Sequence, residues 1–209
     1  MKFQIPANTQ AIIFDLGGVI LNIDYQKTVE AFKGLGLHDF NYFFSKQVQK
    51  DFFDEYEKGF ISSFEFLERI KSFLPESVSN EQIVEAWNAM LLDLPEERLH
   101  LLKKLRDKYS IFLLSNTNEI HINEFHLFLK GKFAMPDLTD YFNKVYLSYQ
   151  IGKRKPDAEI FEHVLLENNL LPKHVVFIDD SPQHIEGAKS LGITTFHLEN
   201  PTTILDIEY

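Results

Sequence analysis

No cysteine occurs in the 209 residues. Disulfides and thiolate metal sites are therefore excluded, and a reducing compartment fits. Long hydrophobic runs are missing too. No segment approaches the roughly 20 apolar residues of a membrane helix, and residues 1–10 carry no signal-peptide core. A cytoplasmic protein free in solution is expected. Positive charge is scarce: 21 Lys and Arg stand against 31 Asp and Glu, a formal net charge of −10. That imbalance argues against nucleic acid or an anionic membrane as partner. The chain has no internal repeat and no low-complexity linker, and nothing in it sets an oligomeric state.

What is present is a full core. Apolar residues make up 44% of the chain, with 20 phenylalanines, most of which must be buried. The length suits one core domain with a modest insertion. Five short β-like runs stand out, at 10–15, 110–115, 144–147, 174–179 and 193–198. Helical patterns fall between them. Residues 95–108 carry Leu99, Leu102 and Leu105 at helical spacing, and 156–168 place Ile160, Phe161, Val164 and Leu165 on one face. Residues 182–191 form a third, and each of the three segments opens on proline, a favoured first helical residue. Alternating strands and helices predict an α/β fold: a Rossmann-like parallel sheet with helices on both faces.

Residues 25–93 break the alternation and read as several helices. Ser62 to Glu65 fits a capping box opening a helix over 64–73, and Ser79 to Gln82 a second, over 82–92. Gly59 is placed to end the helix before them. The expected division is a core of 1–22 and 94–209 with an all-helical cap of 23–93. A unit inserted at the catalytic edge of a sheet tends to sit over it as a lid. The aromatics Phe40, Tyr42, Phe43, Phe44, Phe52, Phe53 and Tyr56 are expected to form the cap core, with one or two facing the site.

The first strand, Ala-Ile-Ile-Phe, ends on Asp15 and turns through Gly17 and Gly18. A carboxylate at the carboxyl edge of a buried strand, beside bare N–H groups, suits a nucleophile or metal ligand next to an anion cradle. Three more polar stretches follow strands or open a helix: Ser115-Asn116-Thr117, Gly152 to Asp157 with Lys155, and Asp179-Asp180-Ser181. Taken singly, each is an ordinary turn or helix cap. Together they fit phosphoryl transfer to an aspartate. Asp15 would attack phosphorus, and a hard divalent cation, Mg²⁺, would relieve the repulsion between two anions. Asp15 and Asp180 are the expected direct ligands, with Asp179 direct or through water. The Ser115 hydroxyl and the N–H groups of Gly18 and Asn116 would bind phosphate, and Lys155 would offset the negative charge.

These residues resemble the four motifs of the haloacid dehalogenase superfamily. Phe14 to Val19 is similar to the first, Ser115 to the second, Lys155 with Pro156-Asp157 to the third, and Asp179-Asp180 to the fourth. The resemblance covers nearly the whole chain, including the insertion at the position of the family's C1 cap. It implies an aspartyl-phosphate mechanism with Mg²⁺ held by Asp15, the Gly17 carbonyl and Asp180. More closely, Asp-Leu-Gly-Gly, Leu-Ser-Asn-Thr-Asn and Arg-Lys-Pro look like the α-glucose-1-phosphate phosphatase branch, with the phosphatase domain of soluble epoxide hydrolase similar in the same places. The implied activity is hydrolysis of a small phosphorylated metabolite, a sugar phosphate such as a hexose 1-phosphate.

One position departs from the superfamily's common pattern. An acid/base aspartate normally stands two residues after the nucleophile, where this chain has Gly17. Asp24 is one candidate substitute, set against a simpler role as helix N-cap. Two other readings stay open: a metal-independent 2-haloacid dehalogenase, which uses the same aspartate on carbon and which the Asp179-Asp180 pair disfavours, and a phosphate-binding regulatory protein, which Gly17 supports. His121 and His184 read as helix-surface residues. Arg154 reads as reaching substrate or cap, or pairing with an acidic helix, and 57–62 as a specificity loop or a plain turn.

Overall fold

The computed structural model describes residues 3–37 and 50–209, excluding the side chains of residues 50 and 51. Phe40, Tyr42, Phe43 and Phe44 lie outside the described residues. Five strands form one parallel sheet: β1 (Ala11–Phe14), β2 (Ser110–Ser115), β3 (Lys144–Leu147), β4 (Val175–Asp179) and β5 (Thr194–His197). Their order is β3-β2-β1-β4-β5. The chain thus winds outward from β1 in one direction and then back past it, leaving a switch point between β1 and β4.

The alternation along each central strand explains the two-faced core. Ile12, Phe14, Ile111, Leu113, Val176 and Ile178 point to one side. They meet Leu99, Leu102 and Leu105 of α5 (Glu96–Arg106) and Ile122, Phe125 and Leu129 of α6 (Glu119–Phe133). Ala11, Ile13, Phe112, Leu114, Val175 and Phe177 point to the other. There they pack on Ile160, Phe161, Val164 and Leu165 of α8 (Ala158–Glu167) and on Ile185 and Ala188 of α9 (Pro182–Lys189). A one-turn helix, α7 (Ser148–Ile151), follows β3. The proline positions differ in part from expectation. Pro182 is the first residue of α9, but Pro95 is the N-cap of α5, and Pro156 precedes Asp157, the N-cap of α8. Proline tolerates all these places because the first N–H groups of a helix have no intrahelical acceptor.

Between β1 and β2 lie α1 (Tyr25–Gly34), α2 (Lys50–Glu57), α3 (Ser63–Lys71) and α4 (Asn80–Asn88). The Ser62/Glu65 and Ser79/Gln82 capping boxes both form, so α3 and α4 begin directly after their serines; both also end earlier than their apolar patterns suggest. The helices enclose their own apolar cluster around Phe66, which stacks on Phe52 at 5.2 Å and on Tyr56 at 4.0 Å between ring centroids. Ile120 at the start of α6 joins that cluster. Two connections tie this layer to the sheet. They pair as a short antiparallel ladder: Asn22 N–H donates to Asp93 O (2.9 Å), Leu92 N–H to Asn22 O (3.0 Å), and Ile23 bridges Leu91.

Among the described residues, no helix is long and apolar enough to cross a membrane.

Candidate active site

Asp15 follows β1, and its N–H donates to Ile178 O of β4 (2.9 Å), which fixes it at the switch point. Asp179 ends β4 and Asp180 follows it. One oxygen from each of Asp15, Asp179 and Asp180 lies within 4.8 Å of the other two. Lys155 comes in from the loop before α8. It is fully buried, and its Nζ donates to Asp15 Oδ1 at 2.6 Å and Asp179 Oδ2 at 2.7 Å. The Asn116 side chain sets the height of that lysine. Its amide donates to Lys155 O and its carbonyl accepts from Lys155 N–H, both at 2.9 Å.

A single ammonium serves a cluster of three carboxylates, and the consequences divide unevenly. At Asp179 burial opposes ionisation, but Lys155 and His184 outweigh it and hold the carboxyl down to about 2. At Asp15 burial, with help from Asp179 and Asp180, prevails over Lys155 and raises the carboxyl. Asp180 is raised by burial and by Asp179. Burial works against the charge on Lys155, yet Asp15 and Asp179 raise it overall and keep it an ammonium. The excess negative charge beside an all-oxygen donor set is what a hard cation neutralises.

The cluster opens on a cavity of about 420 Å³ lined by Asp15, Leu16, Gly17, Ser115, Asn116, Thr117 and Asp180 from the sheet edge, and by Ile23, Tyr25, Glu57, Met90 and Leu91 from the helical layer and its connections. The N–H groups of Leu16, Gly17 and Asn116 have no hydrogen-bond acceptor among the described residues, so they are free to receive an anion.

Gly18 and the two histidines differ from expectation, while Asp24 takes the simpler of its two expected roles. Gly18 does not offer its N–H to the cavity, because that group donates to Leu21 O at 2.8 Å. Its part is steric: at φ +74° it turns the chain where a Cβ would lie 2.1 Å from Asp180 Oδ2. Asp24 is the N-cap of α1, with Oδ1 accepting from Gln26 N–H at 2.9 Å, and it is not among the residues lining the cavity. Neither histidine is a surface residue. His184 Nδ1 lies 3.0 Å from Asp179 Oδ1, and its side chain lines the cavity. His121 is buried, stacks on Trp87 at 4.9 Å between centroids and bonds Asn88 Oδ1 at 2.9 Å. Burial drives its pKa down to about 3.

Arg154 joins the helical layer to the sheet edge. Its NH1 meets Asp54 Oδ1 at 2.8 Å, and its Nε and NH2 meet Glu57 Oε2 at 2.9 and 2.8 Å. The turn after α2 is seated on the core. A Cβ on Gly59 (φ +68°) would lie 2.1 Å from Tyr149 O, and Lys58 Nζ is 3.3 Å from Asp157. Tyr25, Glu57 and Ile23 carry no motif signal. Ile23 and Tyr25 stand at and just after the first crossing point, and Glu57 ends α2 and opens the 57–62 segment already noted as a specificity loop or plain turn; those places alone could have marked them.

The family model for haloacid dehalogenase-like hydrolases matches residues 9–192. D-ribitol-5-phosphate phosphatase of Bacteroides thetaiotaomicron is 36% identical over 194 residues, spanning 90% of this chain and 91% of that one. A crystal structure of a haloacid dehalogenase family enzyme from the same organism, in complex with magnesium and inorganic phosphate, aligns with a TM-score of 0.81 at 38% identity. The match covers 93% of this chain and 96% of that one. The L-2-haloacid dehalogenase of Xanthobacter autotrophicus, with a TM-score of 0.60 at 18% identity over 93% of this chain and 79% of that one, shares the fold.

Proposed function

This chain belongs to the haloacid dehalogenase-like hydrolases, and we infer from its site that it is a Mg²⁺-dependent phosphatase of small polyhydroxylated phosphate monoesters. Pentitol and sugar phosphates, a hexose 1-phosphate among them, are the substrate class. Residues 23–93 act as the cap and 1–22 with 94–209 as the core.

The observation that carries the reading is the meeting of Asp15, Asp179 and Asp180 within 4.8 Å, with Lys155 between two of them. Mg²⁺ fits this set, which is all carboxylate oxygen. Asp15, the Gly17 carbonyl and Asp180 would hold it. The Asp179 oxygens already serve Lys155, Ser181 N–H and His184, so a water-mediated part suits that residue. When bound, the ion supplies the positive charge that lets a carboxylate approach a phosphate dianion.

The protein groups do the rest. Lys155 holds Asp15 Oδ1 and orients the carboxylate for attack. The free N–H groups of Leu16, Gly17 and Asn116 and the Ser115 hydroxyl receive the phosphoryl oxygens. Attack forms an Asp15 acyl phosphate and expels the alcohol; water then releases phosphate and restores the carboxylate. The relative that acts on D-ribitol 5-phosphate and a cavity of about 420 Å³ both favour a small, hydroxyl-rich substrate.

The test is phosphate release from a panel of sugar and polyol phosphates with Mg²⁺, with EDTA, and with Asp15→Asn. Turnover that requires both the metal and Asp15 supports the reading. Equal, negligible rates for wild type and variant would favour a phosphate-binding protein, and metal-independent release of halide from 2-chloropropionate a dehalogenase.

A further inference from the structure

Gly17 leaves the reaction without its usual proton donor, and the cavity holds few groups that can replace it. Asp15 and Asp180 belong to the phosphoryl site, and His184 is tied to Asp179. Asp24 is committed to capping α1. Glu57 remains. It stands at the end of α2 and lines the same cavity as Asp15 and Ser115. Arg154 grips its Oε2 twice, while Oε1 has no hydrogen-bond partner among the described residues.

We propose that Glu57, delivered by the cap and oriented by Arg154, gives its proton to the departing oxygen and later takes one from the attacking water. This rests on the phosphatase reading above. In the first step the Asp15–phosphorus bond forms and the phosphorus–oxygen bond to the alcohol breaks, and that oxygen takes the Glu57 proton. In the second, water adds to phosphorus, its proton returns to Glu57, and the Asp15 carboxylate leaves.

The surroundings suit a carboxyl that carries a proton. The Arg154 guanidinium is shared between Glu57 and Asp54, one positive charge for two negatives. Burial raises Glu57, and Arg154 only partly reverses it. The charged and titratable groups around it are Arg154, Asp54, Lys155 and Tyr25. Because Glu57 rides on the helical layer while Arg154 immediately precedes Lys155, the donor is in place only when the cap is seated. Proton delivery is thereby coupled to exclusion of water.

Leaving-group dependence tests this, because a clamp with a purely structural role would affect all esters alike. For Glu57→Gln, kcat/KM should fall about 10²-fold or more on ribitol 5-phosphate, whose alkoxide needs a proton. On 2,4-dinitrophenyl phosphate, whose leaving group needs none, it should stay within about 3-fold of wild type. In wild type, the fall in kcat/KM at high pH should be present for the alkyl ester and absent for the aryl one, a readout that needs no variant to fold. An equal loss on both esters, or no loss on the alkyl ester, overturns the role of Glu57 and leaves the phosphatase reading standing. Failure of wild type to hydrolyse even the dinitrophenyl ester with Mg²⁺ overturns both.

Discussion

Ile23 Cδ1 lies 2.9 Å from the place a Cβ at position 17 would take. Hydrocarbon from the first connection to the helical layer thus occupies the room in which an acid/base side chain beside Asp15 would stand. The missing aspartate and the bulky Ile23 are two halves of one packing solution, and Ile23 must move before any side chain can enter.

This relationship can be reversed by design. Gly17 has no left-handed backbone conformation to lose, and its obstacle is the flexible end of one side chain. Gly17→Asp combined with Ile23→Ala should fold and place a carboxyl beside Asp15. In that background, Glu57→Gln should cost less than about 10-fold on an alkyl phosphate, against about 10²-fold otherwise. A double-mutant cycle in kcat/KM measures the difference.

Gly18→Ala should be costly for two reasons. The residue is held at φ +74°, and its new Cβ would collide with Asp180 Oδ2. The expected destabilisation is about 1–3 kcal/mol, with a higher Mg²⁺ concentration for half-maximal activity as Asp180 is displaced. Urea unfolding and a Mg²⁺ titration of turnover read the two effects separately.

Lys155→Met leaves Asp15 and Asp179 buried against each other without a cation. At neutral pH the loss should be about 3–5 kcal/mol, the usual result of removing one member of a buried pair. Asp179 is held down to about 2 in the wild type, so its contribution is complete above the ordinary carboxylate pKa and fades only between about 4 and 2. In the variant, protonation relieves the repulsion instead. The stability gap between the two proteins should therefore narrow as pH is lowered from 7 towards 4, as followed by urea unfolding.

His121 gives a pH dependence of the opposite origin. Its pKa is driven down from 6.5 to about 3 by burial, so the unfolded chain binds the proton more readily. Stability from this group is full above about 6.5 and declines as pH falls towards 3. His121→Gln should lower stability at pH 7 by about 1–2 kcal/mol through the lost Trp87 stack. It should also flatten the decline between pH 6.5 and 4. Thermal unfolding of both proteins across that range checks the slope.

The residues legible in the sequence share one property: each sits where an apolar run stops. Asp15, Ser115 and Asp179 end or follow strands whose alternating faces are written in neighbouring side chains, so the local pattern alone places them at one sheet edge. In the sequence His184 and His121 look like surface residues, because nothing in their own helices shows what packs against them. The partner of His184 is Asp179, close in sequence, but that of His121 is Trp87, 34 positions away on a different layer. Gly18 carried the right motif but the wrong function, since only the folded loop shows its N–H turned to Leu21.

The sequence alone determined the parallel sheet, the helical insertion and the chemical kind of the sheet-edge residues. Hydrophobic periodicity, capping residues and strand-end polarity are local, and they act before any distant contact forms. Only the tertiary structure decided that Lys155 lies between Asp15 and Asp179, that Ile23 fills the space above Gly17, and that Arg154 holds Glu57 over the cavity. Those pairings join segments from 6 to 140 residues apart. They exist because helices pack on both faces of the sheet while the inserted helices form a third apolar cluster, and that packing brings segments distant in the chain together at the carboxyl ends of the strands.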